Sequence, residues 1–311
     1  MKLLLTGGTG TLGKEIIKLS IVDGLAVNIL TRNKKIISNN KRIKYFYWDP
    51  DNKVINEKCF EGVDVIINLS GFNIFNLWTK RNKIKILNSR VNSTKFILDE
   101  LNKKRIKIKA FISASAIAAY KSSYSEYYTE NESISDRNNF INQVIVKWES
   151  AVLNYKEIMP STSFSIMRIG IVLSTDSGLF KICNKLSRCY LLSTIGPGNQ
   201  WQSWIHVNDV ARVILKNSRE SWEGIYNVVA PNPVTQKEML RLIAKYANRK
   251  IILPMVPLGI ANLIFGEMSE ILSSSQKVSP LKLKEKNFRY NFSNLDQALA
   301  NLNNKLYDNM A

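Results

Sequence analysis

The residues best equipped for chemistry open the chain. Thr6-Gly7-Gly8-Thr9-Gly10-Thr11-Leu12-Gly13 concentrates glycine within a few positions. In such a turn one glycine permits a tight bend, one lets the backbone approach a pyrophosphate, and one allows close helix packing. A helix beginning there presents N–H groups and a partial positive charge to phosphates. The next group lies in Thr31-Arg32-Asn33-Lys34-Lys35. An NAD site places Asp or Glu here for the ribose hydroxyls. A carboxylate would repel a 2′-phosphate, whereas a guanidinium binds one bidentately. With no acid in reach of this segment, the sequence predicts NADP(H) as the preferred cofactor and leaves NAD(H) open.

The elements that must hold these groups follow from the hydrophobic pattern. Lys2-Leu3-Leu4-Leu5 is a short apolar run ending at the glycine turn, as a buried parallel strand does. Leu12, Ile16, Ile17 and Leu19 recur at helical spacing until Asp23-Gly24, and Ala26 to Leu30 forms a second strand. This is a βαβ unit of about 30 residues. Further strands are expected at Val65 to Leu69, Ala110 to Ile112 and Phe164 to Gly170. A helix is expected from Lys80 to Leu101, with Ile84, Leu87, Val91, Ile97 and Leu101 on its apolar face. Another carries Lys147-Trp148-Glu149, after a polar loop from Tyr120 to Asn139 that contains Glu126, Glu130, Glu132 and Asp136. Asp209 reads as an N-cap for a helix bearing Val210, Val213 and Ile214. The alternation predicts an α/β fold, a Rossmann-type doubly wound parallel sheet.

Composition removes several function classes. The 311 residues are 45% hydrophobic and 22% charged, as in a soluble globular protein of one large or two modest domains. The net charge of 44 − 25 = +19 raises nucleic acid as a partner. Its cations are spread from Lys2 to Lys305, however, and no RNP, zinc-finger or helix-turn-helix signature accompanies them, so none is expected. The longest apolar stretch, Ile251 to Phe265, is interrupted by Pro254, Pro257, Gly259 and Asn262 and falls short of the roughly 20 residues that cross a bilayer. The opening leucines are too few for a secretory leader. The expectation is a cytoplasmic protein with no membrane partner and a small-molecule substrate. Cys59, Cys183 and Cys189 form no CxxC pair and the one histidine is His206, so neither a disulfide framework nor a metal site is expected. Gly-x-Ser-x-Gly is absent, which argues against a serine hydrolase.

Further segments carry a resemblance. They are Asn68-Leu69-Ser70-Gly71-Phe72-Asn73-Ile74, Ser89-Arg90 with Thr94, Ser113-Ala114-Ser115-Ala116-Ile117, Lys147-Trp148-Glu149 and Arg168-Ile169-Gly170-Ile171-Val172-Leu173. Downstream come the stretches Gln200 to Asp209 and Asn227 to Thr235, Gly266-Glu267-Met268, and Ser275-Gln276-Lys277-Val278. With the glycine turn, they resemble the extended short-chain dehydrogenase/reductase superfamily, and within it the NAD-dependent epimerase/dehydratase-like "epimerase family" proteins. The resemblance runs nearly end to end. It implies a Rossmann/epimerase domain over residues 1–230 and a small, mainly helical C-terminal domain of unknown function on the substrate side, over 249–298. It implies cofactor contacts at Gly7, Gly8, Thr9, Gly10, Thr11, Leu12, Gly13, Thr31, Arg32, Leu69, Ser70, Gly71, Arg90 and Val172. Two departures fall at the nicotinamide end: Phe72, followed by Asn73, where relatives often carry Glu, and Ala118 where many carry Gly.

The same resemblance implies a catalytic Ser beside a Tyr-x-x-x-Lys pair, in which Lys and cofactor lower the Tyr pKa. Ser115 stands in the place of the Ser and Lys147 in that of the Lys, but Gln143 occupies the Tyr position. The one Tyr-x-x-x-Lys in the chain, Tyr246 to Lys250, comes too late. Tyr120, Tyr124 and Lys147 itself are the available substitutes. Ser115 and Lys147 are therefore the catalytic candidates, and Asn73, Trp201 and His206 the substrate-binding ones. His206 also reads as a structural imidazole bonded to the backbone, and Trp201 and Trp204 as core aromatics. Gly196-Pro197-Gly198 is a turn that could hinge a lid. Two functions follow. One is an NADP(H)-dependent oxidoreductase or epimerase acting on an unknown, sugar-like substrate bearing a hydroxyl or carbonyl. The other is a catalytically silent dinucleotide-binding regulatory or redox-sensing module.

Overall fold

Leu3, Leu4 and Leu5 are fully buried, as a strand covered on both faces requires. They belong to the middle of a sheet seen in a computed structural model, which describes residues 1–36, 40–132, 134 and 139–308; Asp136 of the expected acidic loop lies outside them. The chain begins β1 (Lys2–Thr6), α1 (Thr11–Val22), β2 (Ala26–Thr31), β3 (Ile43–Asp49), β4 (Val54–Ile55), β5 (Val65–Asn68), α2 (Lys80–Lys103), β6 (Ala110–Ala116) and β7 (Tyr127–Tyr128). It continues α3 (Phe140–Leu153), β8 (Ser163–Ile169), β9 (Ile171–Leu173), α4 (Gly178–Arg188), β10 (Trp201–Gln202), β11 (Trp204–His206), α5 (Val207–Glu220) and β12 (Gly224–Val228). Then come β13 (Val234–Thr235), α6 (Gln236–Tyr246), α7 (Leu258–Phe265), α8 (Ser269–Ser273), β14 (Lys277–Val278), α9 (Leu281–Glu285) and α10 (Leu295–Asp308).

Eight strands form the central sheet in the order β12-β8-β6-β5-β1-β2-β3-β4. Leu3 of β1 lies opposite Val27 of β2 on one side and Val65 of β5 on the other, both parallel. β2–β3 and β5–β6 are parallel too, while β4 returns antiparallel to β3. The chain therefore builds outward from β1 in one direction, then restarts at β5 in the other. In a doubly wound sheet, this reversal opens a crevice beyond the carboxyl ends of the strands. The α2 helix follows its expected span, and Val91, Ile97 and Leu101 of its expected face are buried together with Ile86, Ser93 and Thr94, while Ile84 is exposed. The departure is confined to the N-terminal end of the helix, where Ile86 rather than Ile84 turns inward.

Two compact units share the chain in alternation. The first comprises Met1–Ala119, Ile134–Arg168 and Ala211–Tyr226; the second comprises Tyr120–Ser133, Ile169–Val210 and Asn227–Ala311. In the first, Leu4, Ile66, Phe111 and Ile166 of the sheet pack with Phe96, Ile97 and Leu101 of α2. In the second, Leu173, Trp204, Phe180, Met239, Ile243 and Leu299 form the core. Three strand pairs brace it: β9 with β11 and β7 with β14 in parallel, and β10 antiparallel to β13. Asp209 sits inside the first turn of α5 rather than at its cap, and its carboxylate accepts from the amides of Asn291 and Phe292, each at 2.9 Å. Among the described residues no helix is long and apolar enough to cross a membrane, and no three His, Cys, Asp or Glu side chains gather as a metal site would require. The three cysteines are free thiols.

Candidate functional site

The glycine turn is packed to its limit. Gly7 has φ +68°, the left-handed region that side chains resist, and a Cβ there would lie 2.9 Å from the carbonyl carbon and oxygen of Leu69. A Cβ on Gly13 would come within 2.4 Å of the Gly7 carbonyl oxygen, so α1 can seat on the turn only with glycine at that position. Gly10 N donates to Gly7 O at 3.0 Å and forms the N-cap of α1. Buried Thr6 ties the turn to the end of β5: its hydroxyl donates to Asn68 Oδ1 at 2.9 Å and accepts from the amides of Leu69 and Ser70 at 2.9 and 3.0 Å. Asn68 in turn donates to Thr94 Oγ1 at 2.7 Å, which anchors α2 to the same corner.

The reversal at β1 opens a cavity of about 510 Å³, within the roughly 300–1,000 Å³ of small-molecule and cofactor sites. Gly7, Thr9 and Gly10 line one stretch of it, Thr31, Arg32 and Asn33 another, and Leu69, Ser70 and Gly71 a third. Gly8, Thr11, Leu12 and Gly13 frame the turn without lining the cavity. Ile36, Trp48 and Pro50 supply an apolar wall, and Asp51 completes the rim near Arg32. These residues fit a dinucleotide. The glycine cradle would be filled by any Cβ at Gly7, and helix geometry leaves first-turn N–H groups of α1 without intrahelical partners. One expectation is corrected. No acid adjoins Arg32 in sequence, yet Asp51 Oδ2 stands 3.8 Å from its Nη1, both side chains being more than 60% exposed. Arg90 is half-buried on α2: Nη1 donates to the carbonyls of Phe72 and Ile86 at 3.1 Å, and the guanidinium lies over Trp148. Burial lowers its pKa to about 10.

The catalytic candidates part company. Ser115 lies on β6, which runs four residues past the expected strand end, and it is buried. Its hydroxyl donates to Glu149 Oε1 at 2.5 Å. Arg168 holds the same carboxylate with two donors, Nε to Oε1 at 3.0 Å and Nη2 to Oε2 at 2.8 Å. Glu149 and Arg168 are at most 4% exposed, so this is a desolvated ion pair with a serine attached. Lys147, two residues earlier on α3, points to solvent, and the structure does not bring it to Ser115. The helix turns Glu149 inward instead. Sequence reasoning missed Glu149 and Arg168 as a pair, although both stood in matched segments. The proposed tyrosine substitutes are occupied or exposed: Tyr120 is buried with its hydroxyl donating to Asn227 Oδ1 at 2.7 Å, and Tyr124 is exposed.

The substrate candidates are placed as follows. Asn73 is exposed and its side chain accepts from Phe75 N at 3.0 Å, shaping its own turn. Phe72, the residue in the place of a relative's Glu, donates its amide to Ser89 Oγ at 2.7 Å. Ala118 sits in a short 3₁₀ turn after β6. Val172 and Trp201 belong to the second unit. Val172 pairs with Ile205, and Trp201 donates its indole N–H to Tyr124 O at 3.1 Å beneath Lys277 Nζ. His206 is the correction: it is fully buried at the end of β11, where a substrate has no approach. Its Nδ1 accepts from Asn208 N at 3.1 Å and its ring lies 4.0 Å from that of Phe292. Burial, with Lys305 nearby, lowers its pKa to about 3, which fits the structural imidazole.

Comparison with known proteins accords with this architecture. The profile of the NAD dependent epimerase/dehydratase family matches residues 3–229, and that of a domain of unknown function (DUF1731) matches residues 256–302. The epimerase family protein YfhF of Bacillus subtilis is 33% identical over 305 residues, spanning 97% of this chain and 98% of YfhF. The crystal structure of human epimerase family protein SDR39U1 with NADPH superposes with a TM-score of 0.83 at 25% identity, over 98% of this chain and 99% of that one. The dTDP-glucose 4,6-dehydratase of Bacillus anthracis in complex with NAD shares the fold, with a TM-score of 0.76 at 16% identity over 99% and 97%.

Proposed function

The chain belongs to the NAD dependent epimerase/dehydratase family, and from that premise we propose that it binds NADP(H) in the β1–α1 crevice as an oxidoreductase- or epimerase-like protein. Its substrate would be a small molecule bearing a hydroxyl or carbonyl. The carrying observation is the cavity that joins the glycine turn to Arg32. The backbone from Gly7 to Gly13 would hold the pyrophosphate, with Trp48, Ile36 and Pro50 against the adenine. Arg32 would take the 2′-phosphate. Its partner Asp51 is a solvent-exposed ion pair of little strength, which an incoming phosphate dianion displaces. Human SDR39U1, observed with NADPH, supports this preference. Leu69, Ser70, Gly71 and Arg90 are assigned to the remainder of the cofactor. When bound, the nicotinamide supplies or accepts hydride. Ser115 would accept a hydrogen bond from a substrate hydroxyl, since its own proton is directed at Glu149; a substrate carbonyl would require that proton to turn from Glu149 to the substrate. The test is calorimetric titration of wild type and Arg32→Ala with NADPH and NADH. Arg32→Ala should weaken NADPH by roughly tenfold, the worth of about 1.4 kcal/mol, and leave NADH unchanged. Tighter binding of NADH than NADPH by wild type would refute the Arg32 assignment.

A second reading has its own observation. The Ser115 hydroxyl is engaged by Glu149, Lys147 faces solvent, and Gln143 occupies the tyrosine position. These favour a silent dinucleotide-binding module. Following NADPH absorbance over a panel of carbonyl compounds, in wild type and Ser115→Ala, separates the two: turnover abolished by the substitution selects the enzyme, and inertness of both selects the module.

A further inference from the structure

The longest apolar stretch of the sequence is mostly exposed. From Ile251 to Gly266 the chain carries no charge, yet Ile252, Leu253, Met255, Leu258, Ile260, Leu263 and Ile264 are all exposed, Ile252 by 65% and Leu263 by 87%. Only Ala261 of α7 is buried, and the helix presents Leu258, Ile260, Leu263 and Ile264 outward. A soluble monomer rarely exposes so large a contiguous apolar surface without using it.

The patch continues onto a second segment. Residues 193–196 run alongside 254–256: Val256 N donates to Thr194 O and Gly196 N to Val256 O, each at 2.8 Å. Leading into that segment, α4 carries Lys181, Ile182, Lys185 and Leu186 on its exposed face, and Tyr190 and Leu191 follow, also exposed. Arg249 lies over the Tyr190 ring at 5.1 Å and joins the two segments at their other end.

The charge on these segments is one-sided. Residues 177–208 contain Lys181, Lys185 and Arg188, and residues 239–266 contain Arg241, Lys245, Arg249 and Lys250; neither stretch holds an Asp or Glu. Lys245 meets Asp296 at 3.2 Å, Lys181 donates to the Asp176 carbonyl at 3.0 Å, and Glu267 and Glu270 follow α7, while Arg249 lies over the exposed Tyr190 ring. A second copy of the chain would bring the same cations against themselves. A nucleic acid would leave the leucines and isoleucines unsatisfied. An anionic lipid surface satisfies both features, taking aliphatic side chains into its acyl boundary while lysines and arginines meet its headgroups.

We propose that the face formed by α7, residues 252–255 and the outer side of α4 docks on an anionic membrane surface. The contact is peripheral and requires no spanning segment. The test is co-sedimentation of the full chain with sucrose-loaded vesicles of pure phosphatidylcholine, or of phosphatidylcholine with one third phosphatidylglycerol, at low and high salt. Binding should be roughly tenfold stronger to the anionic vesicles and should fall as salt rises. Leu263→Glu, at a position too exposed to threaten folding, should abolish it. Lys181→Glu with Lys185→Glu should reduce it severalfold, and the NADPH affinity of both variants should match wild type. No sedimentation with anionic vesicles, equal binding to both vesicle types, or wild-type binding by Leu263→Glu would overturn the proposal. So would a dimer in light scattering that Leu263→Glu disperses, since a second copy would then cover the face.

Discussion

The crevice at the end of β1 and the cluster at the end of β6 are two ways for a strand to deliver polar groups. At β1 the work falls to the backbone: Gly7 and Gly13 have no side chain to offer, and packing permits none. At β6 it falls to side chains already committed to one another, Ser115 to Glu149 and Glu149 to Arg168. The first lines a cavity; the second closes its hydrogen bonds inside the protein. Polar groups that line a cavity and polar groups spent on one another are thus distinguished by where they point, even when both lie in segments shared with relatives.

Several measurements can break this contrast, and the largest effect is expected at β6. Glu149→Ala leaves Arg168 as a buried, unpaired cation and should cost about 3–5 kcal/mol of stability in urea denaturation. A loss under about 1 kcal/mol would show that water reaches the pair and that the cluster is open after all. At β1, Gly13→Val drives a side chain into the Gly7 carbonyl. It should cost about 1–3 kcal/mol and eliminate NADPH binding, while Glu149→Ala protein held below its melting temperature still binds. His206 extends the comparison to the second unit. Its folded pKa of about 3 lies below its ordinary value, so its contribution is complete above pH 6.5 and declines as pH falls toward 3. Between pH 7 and pH 5 stability should drop by about 2 kcal/mol, and His206→Asn should flatten that slope. A slope unchanged by the substitution would assign the pH dependence elsewhere. The smallest effect is at the crevice rim: Asp51→Asn frees Arg32 and should tighten NADPH about threefold without altering NADH, by calorimetry.

Legibility followed the same division. Strand β1, the glycine turn, α1 and β2 could be read locally because apolar runs and glycines act on their nearest neighbours. Asp51 could not be read beside Arg32, since a parallel strand and a loop separate them in sequence and only the sheet unites them. Lys147 drew attention through spacing, yet the rotation of α3 turned Glu149 to the core. No rule of spacing states that Glu149 and Arg168 meet, because their pairing depends on how α3 lies against the sheet. The α2 stripe was legible at Val91, Ile97 and Leu101, but Ser93 and Thr94 are buried and polar, so an apolar count passed over them.

The alternation of the two compact units along the chain has a consequence for synthesis. Tyr127 and Tyr128 leave the ribosome well before Lys277 and Val278, their strand partners, and Asp209 emerges long before the Asn291 and Phe292 amides it holds. The second unit therefore cannot close until Asn291 and Phe292 have been made, and the matched segment at 256–302 is the clasp that completes it rather than a removable appendage.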